Sequence, residues 1–141
     1  MNLQQRFKPI AGDATLFAAR LTFGGYMAME HGLKKFYKWD TIQHDFANPL
    51  GIPDYWSAAL TIWAELYCCI LIVLGLFTRF SALTNAICML IAALVVHGGD
   101  PMDERESAFI YFAGFILLVY TGGGRWSIDH LLRKTRIAKW L

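Results

Sequence analysis

The sequence predicts an all-helical integral membrane protein: a four-helix bundle of antiparallel up-and-down helices with both termini on the cytoplasmic side. Three observations predict it. Hydrophobic residues make up 56% of the 141 residues and the mean hydropathy is +0.38, against roughly 45–50% apolar usage in soluble domains. The apolar residues are gathered into four blocks, where a soluble core would show amphipathic stripes with charged faces between them. The basic residues cluster on alternate connections, as the positive-inside rule demands of a multi-pass protein. The net charge of +2 is too small to imply nucleic acid as a partner, and the basic residues are not interleaved with aromatics on one face.

The spans are expected at about 14–36, 55–77, 80–96 and 104–121, followed by a cytoplasmic tail at 122–141, so that residues 1–141 form a single membrane domain. A span takes about 20 residues, with roughly 17 as the usual minimum. The first block follows Arg6 and Lys8 as a secretory signal would, but Arg20 interrupts it and no small-residue cleavage site follows; an uncleaved first helix is expected. Pro49, Pro53 and Asp54 mark the start of the second helix, and Pro101 and Asp103 that of the fourth. The third block is near the minimum length. The fourth is short alone and must take Asp103 to Glu106 as its first turn before ending at Gly122, Gly123 and Gly124. The turn Leu76-Phe77-Thr78-Arg79 is tight, which makes the second and third helices antiparallel neighbours. The longest connection, from Tyr37 to Asp54, carries Trp39 and Phe46 and leads into Trp56, residues suited to a cap at the membrane surface.

Orientation follows from charge. Arg6, Lys8, Arg79 and the tail residues Arg125, Arg133, Lys134, Arg136 and Lys139 share one side, which is therefore cytoplasmic. The opposite side holds Asp100, Asp103, Glu104 and Glu106 against Arg105, together with a first loop of mixed charge around Lys34, Lys35 and Lys38. In the tail, Ser127 is placed to cap a short helix whose basic face would lie on anionic lipid. Cys68, Cys69 and Cys88 fall inside apolar blocks without metal-type spacing and are expected to pack. Disulfide chemistry is not expected, because Cys68 and Cys69 are adjacent and would bridge only with strain.

Charged residues inside a span cost about 2.5–3.5 kcal/mol each on insertion scales, so each needs a partner or a purpose. Arg20 and His31 share a face of the first helix, which Lys34 and Lys35 extend outward, and Gly24 and Gly25 between them permit close helix packing or close approach of a flat ligand. Glu65 lies roughly 15 Å below the outer end of the second helix, near the bilayer midplane. His97 closes the third helix and Glu106 opens the fourth. A planar quinone head group offers two carbonyl oxygens to donors and takes up protons with electrons. It calls for His or Arg donors, a carboxylate relay and aromatic walls such as Tyr67 and Tyr111. Arg20, His31, Lys35, Glu65, His97 and Glu106 are thus the candidate cofactor-binding residues, with quinone as the candidate cofactor and no metal expected. The structural alternative has Arg20 snorkelling or pairing with Glu65, and the histidines bonding to carbonyls. No haem, dinucleotide or phosphate-loop motif is present.

Five short segments, taken together, resemble the DoxX family of small bacterial inner-membrane proteins. They are His31-Gly32-Leu33-Lys34-Lys35-Phe36, Glu65 in the second helix, Gly75-Leu76-Phe77-Thr78-Arg79, Val96-His97-Gly98, and Gly124-Arg125-Trp126-Ser127-Ile128-Asp129. Two features depart from the expected pattern: Cys68 and Cys69 replace small residues after the glutamate, and the loop before the fourth helix is unusually acidic. The resemblance implies a four-helix membrane fold tied to redox work, with relatives described as subunits of a thiosulfate:quinone oxidoreductase or as anchors for thiol-stress and superoxide-handling complexes. The expected function is a quinone-interacting subunit that receives electrons from a soluble or membrane redox partner. The alternatives are a non-catalytic scaffold that recruits a soluble oxidoreductase or stress enzyme and, less well matched to four helices, a small-solute carrier that would need a homo-oligomer.

Overall fold

The computed structural model describes residues 12–133; Arg6, Lys8, Lys134, Arg136 and Lys139, on which part of the orientation argument rests, lie outside the described residues. All regular structure within that range is helical. The helices are α1 (12–37), α2 (Trp39–Ile42), α3 (Asp54–Leu74), α4 (Thr78–Val96), α5 (Met102–Thr121) and α6 (Ile128–Arg133). Two are long and apolar enough to cross a membrane: α3, 21 residues with mean hydropathy 2.0, and α4, 19 residues with mean hydropathy 1.9. The 20 residues of α5 span about 30 Å, but its first turn carries Asp103 and Glu104.

Small residues set the closest helix contact. Along α1, Gly24, Ala28 and Gly32 recur every fourth position and are buried, so they form one edge of the helix. That edge lies antiparallel on α3. A Cβ at Gly24 would stand 3.1 Å from the Cys69 carbonyl oxygen, and one at Gly32 would stand 2.6 Å from the Glu65 carbonyl oxygen. The small residues expected after Glu65 are therefore supplied from across the interface, by α1. Helices α4 and α5 pack along much of their length, and α5 returns to α1 where the Phe23 ring covers Gly114. The buried core joins Met27, Leu66, Ile72, Met89, Phe115 and Leu118.

The outer faces invert the pattern of a water-soluble helix. Leu60, Trp63, Tyr67, Ile70 and Leu74 form an exposed stripe along α3, and Phe80, Leu83, Ile87, Leu90 and Leu94 do the same along α4. Inside, α4 buries Thr78, Ser81 and Asn85 completely. Large apolar residues outward and small or polar residues inward is the distribution an apolar solvent favours.

The helices also widen locally into π-helical turns, at Arg20–Gly25 and Ala28–Gly32 in α1, Trp63–Cys68 in α3 and Ala92–Val96 in α4. Such turns shift the helix face by a fraction of a turn and recur at functional sites. Arg20, His31 and Glu65 each lie in one, and His97 follows the last.

At the other end of α3, the helix expected to reach residue 77 stops at Leu74. Gly75, at φ +70°, takes the left-handed conformation, and two crossed bonds close the end: Gly75 N–H to Ile72 O at 3.0 Å and Leu76 N–H to Leu71 O at 2.9 Å. Phe77 is also left-handed, at φ +50°. It is held there by the tail, since the Asp129 carboxylate accepts from Phe77 N–H at 2.7 Å and Thr78 N–H at 2.9 Å. In return Asp129 N–H donates to Gly75 O at 2.8 Å. The two motifs Gly75 to Arg79 and Gly124 to Asp129 therefore exist to grip each other. Ser127 does cap α6, accepting from His130 N–H at 3.2 Å.

Candidate functional site

Between α3 and α4, beneath the loop at 46–52, lies a cavity of about 430 Å³. The loop is drawn over α3 by two bonds, Ser57 Oγ to the Ala47 carbonyl at 2.6 Å and Asn48 Nδ2 to Asp54 Oδ1 at 3.1 Å. The walls are apolar, with Leu60, Trp63, Ile87, Cys88 and Ile91 among them. Three charged or titratable side chains reach it: Lys35 from α1, Glu65 from α3 and His97 at the end of α4.

Lys35 Nζ and Glu65 Oε2 form an ion pair. The carboxylate side chain is only 5% exposed and the lysine 27%, so the pair sits largely out of water, where each charge depends on the other. The wall around it supplies hydrophobic contact and the pair supplies the polar anchor, the usual composition of a small-molecule site. Its volume also falls within the roughly 300–1,000 Å³ typical of such sites.

A family model described as DoxX matches residues 15–98. The chain belongs to the DoxX family. An uncharacterized protein of Haemophilus influenzae is 30% identical to it over 145 residues, an alignment covering 96% of this chain and 95% of that one. No solved structure matches the chain. The DoxX match takes in every residue that lines the cavity, Lys35, Trp63, Glu65 and His97 among them, and ends before α5.

The six candidate residues of this DoxX protein do not form one cluster. Lys35, Glu65 and His97 line the cavity. His31 turns toward α5 instead, its ring 5.8 Å edge-to-face from Tyr111, while still lying in the field of Glu65, Lys35, Glu30 and Lys34. Tyr111 stacks on Phe115 at 6.1 Å and meets Phe23, so it belongs to the core beside His31. Tyr67 stays outside the cavity, stacked at 5.8 Å on Trp63.

Arg20 lies at the far end of α1. Fully buried, it donates to the Val73 carbonyl at 3.0 Å, to the Ile72 carbonyl at 3.5 Å and to the Trp126 carbonyl. It ties the last turn of α3 to the tail motif, and its guanidinium lies 5.3 Å over the Phe17 ring. Neither pairing with Glu65 nor snorkelling to the surface describes it. Glu106 is exposed on the first turns of α5, outside the cavity lining. At the rim, His97 Nδ1 lies 2.7 Å from Asp100 Oδ2. With Glu104 these offer three ligand atoms within 4.8 Å of one another, a grouping that exposed acidic loops commonly make without an ion.

Sequence reasoning missed Trp63 and the loop at 46–52 as cavity walls, and it missed Gly32 as the closest contact. The one available signal was charge: Lys35 and Glu65 are opposite charges at comparable depth on two helices, and the cost of burying either alone argues for pairing them.

Proposed function

We propose that this DoxX protein is a quinone-facing redox subunit of the bacterial inner membrane, a multi-pass four-helix bundle with both termini cytoplasmic. The observation that carries the reading is the apolar cavity of about 430 Å³ whose polar anchor is the Lys35–Glu65 pair. The donor set fits a quinone. Lys35 offers N–H donors to a carbonyl oxygen, Glu65 holds an exchangeable proton site beside it, Trp63 gives a flat wall, and His97 stands at the rim. When bound, a quinone supplies two-electron, two-proton redox chemistry, with the electrons coming from a partner oxidoreductase. Lys35, rather than a histidine or arginine, is the hydrogen-bond donor to the head group, and Arg20 and Glu106 take no part in binding. The bilayer placement is supported by the exposed apolar stripes on α3 and α4 and by the length and hydropathy of those two helices.

Mass spectrometry of lipid extracts from purified protein tests the proposal. The expected result is quinone near one equivalent in the wild type and its loss in Glu65→Gln and Lys35→Met, with retention in Glu106→Gln. Absence of quinone from wild type, together with failure to take it up from quinone-loaded liposomes, would overturn it in favour of a scaffold that docks a soluble enzyme.

A further inference from the structure

A second concavity lies where the α3–α4 turn, the end of α5 and the tail motif meet, some way from the Lys35–Glu65 cavity in sequence and structure. It has a volume of about 270 Å³. Its lining is polar and basic: Arg79 from the start of α4, Arg125 and Arg133 from the tail, and His130 between them. Two acids also face it, Asp13 and Asp129, but both are committed. The Asp129 carboxylate accepts from Phe77 and Thr78 N–H. Asp13 Oδ1 accepts from Arg125 N–H at 2.9 Å, and its Oδ2 lies 3.8 Å from Arg125 Nε. With two acids against three arginines, positive charge is left over.

A second observation, independent of the arginines, points to a hydrogen-bonding ligand. Thr78 is fully buried and lines the pocket, yet its Oγ1 has no hydrogen-bond partner among the described residues. A buried hydroxyl left unpaired costs free energy comparable to a lost hydrogen bond. Gly123 packs directly against it, so that a Cβ there would stand 2.8 Å from that same oxygen. The rim carries two exposed aromatic side chains, Phe77 at 45% and Phe80 at 61%. Aromatic residues of this kind gather at the level of lipid head groups.

We propose that this pocket binds the phosphate of an anionic phospholipid head group. Arg79, Arg125 and Arg133 supply the positive charge, the Thr78 hydroxyl donates to a phosphate oxygen, and the aromatic rim lies against the acyl chains. Guanidinium forks suit a phosphate better than ammonium groups do. The ligand chemistry is that of a phosphate oxyanion. The lipid is assigned as its source because two of the lining side chains, Phe77 and Phe80, are exposed aromatics where a site for a free anion would be polar throughout.

Native mass spectrometry of delipidated, detergent-solubilised full-length protein tests this, with dioctanoyl phosphatidylglycerol, dioctanoyl phosphatidylcholine and inorganic phosphate as probes. The expected result is saturable binding of phosphatidylglycerol over phosphatidylcholine, weakened about fivefold for each arginine changed to glutamine. Thr78→Val should weaken it further with no change in charge. Arg133→Gln alone keeps the test open if the triple variant does not fold, because that side chain makes no structural bond among the described residues. Equal binding of both lipids, or indifference to every one of these substitutions, would overturn the proposal. Binding of inorganic phosphate that excludes phosphatidylglycerol would overturn the assignment of lipid as the source.

Discussion

Gly32 of α1 lies so close to Glu65 of α3 that a Cβ at residue 32 would stand 2.6 Å from the Glu65 carbonyl oxygen and 2.7 Å from the Leu66 nitrogen. The atoms it would meet are backbone, so no rotamer change relieves the clash; the helices must part. Gly32→Ala is therefore expected to destabilise the protein by about 1–3 kcal/mol, in the range of overpacked cores. It should also displace Glu65 from Lys35 and lower quinone occupancy. Gly25→Ala is the control, since its Cβ would meet only Val73 Cγ2 at 3.9 Å. Thermal unfolding in detergent, run on both variants, checks the difference.

The Lys35–Glu65 pair gives the second prediction. Removing one member leaves the other charged and poorly solvated, whereas removing both leaves an apolar cavity without that penalty. Lys35→Met and Glu65→Met are each expected to lower stability by about 1–3 kcal/mol, below the full cost of breaking a buried pair because Lys35 keeps some exposure. The double variant should recover most of that loss yet bind no quinone. A double-mutant cycle on thermal stability, read beside quinone content, separates the two effects. A double variant as unstable as the sum of the single variants would show that the two charges are not coupled.

The helices were legible in the sequence because lipid-length apolar blocks and Pro or Gly punctuation are local signals. Expected starts at 55 and 80 compare with Asp54 and Thr78, and the borrowed acidic turn of the fourth helix begins at Met102. The site was less legible, for a physical reason. Placing Arg20 and His31 on one face of the first helix assumed 100° per residue, but the π-helical turns of α1 change that register within the segment concerned. His31 consequently meets Tyr111, and Lys35, a turn further on, takes the place beside Glu65. Arg20 illustrates a different limit. Its partners are main-chain carbonyls of α3 and of Trp126, which no side-chain inventory reveals.

Arg20 leads to the third prediction. Its guanidinium spans three carbonyl acceptors contributed by α3 and the tail, a fork that an ammonium group cannot reproduce. Arg20→Lys is expected to cost about 2 kcal/mol or more, since carbonyls left without a donor are buried with it. Quinone content per folded molecule should stay unchanged, because the cavity lies toward the opposite end of α1. A variant of normal stability that had lost its quinone would instead make Arg20 a ligand-binding residue.

Asp129 makes the tail part of the fold. Its two carboxylate oxygens serve the N–H groups that open α4, those of Phe77 just before the helix and of Thr78 at its start, across 52 and 51 residues of sequence. This is the capping role usually filled by a residue next to the helix, and the charge also suits the helix N-terminus. Asp129→Asn keeps one acceptor and loses the charge; a stability loss of about 1 kcal/mol is expected. Asp129→Ala also frees the left-handed Phe77, which has no side-chain reason to stay at φ +50°, and should cost about 2 kcal/mol. Hydrogen exchange on the two variants locates the effect: faster exchange confined to the first turn of α4 and to residues 124–133 is expected, while protection of the α1–α3 interface persists. Faster exchange throughout α3 and α4 would mean that the tail holds the whole helical pair together and does more than cap one end.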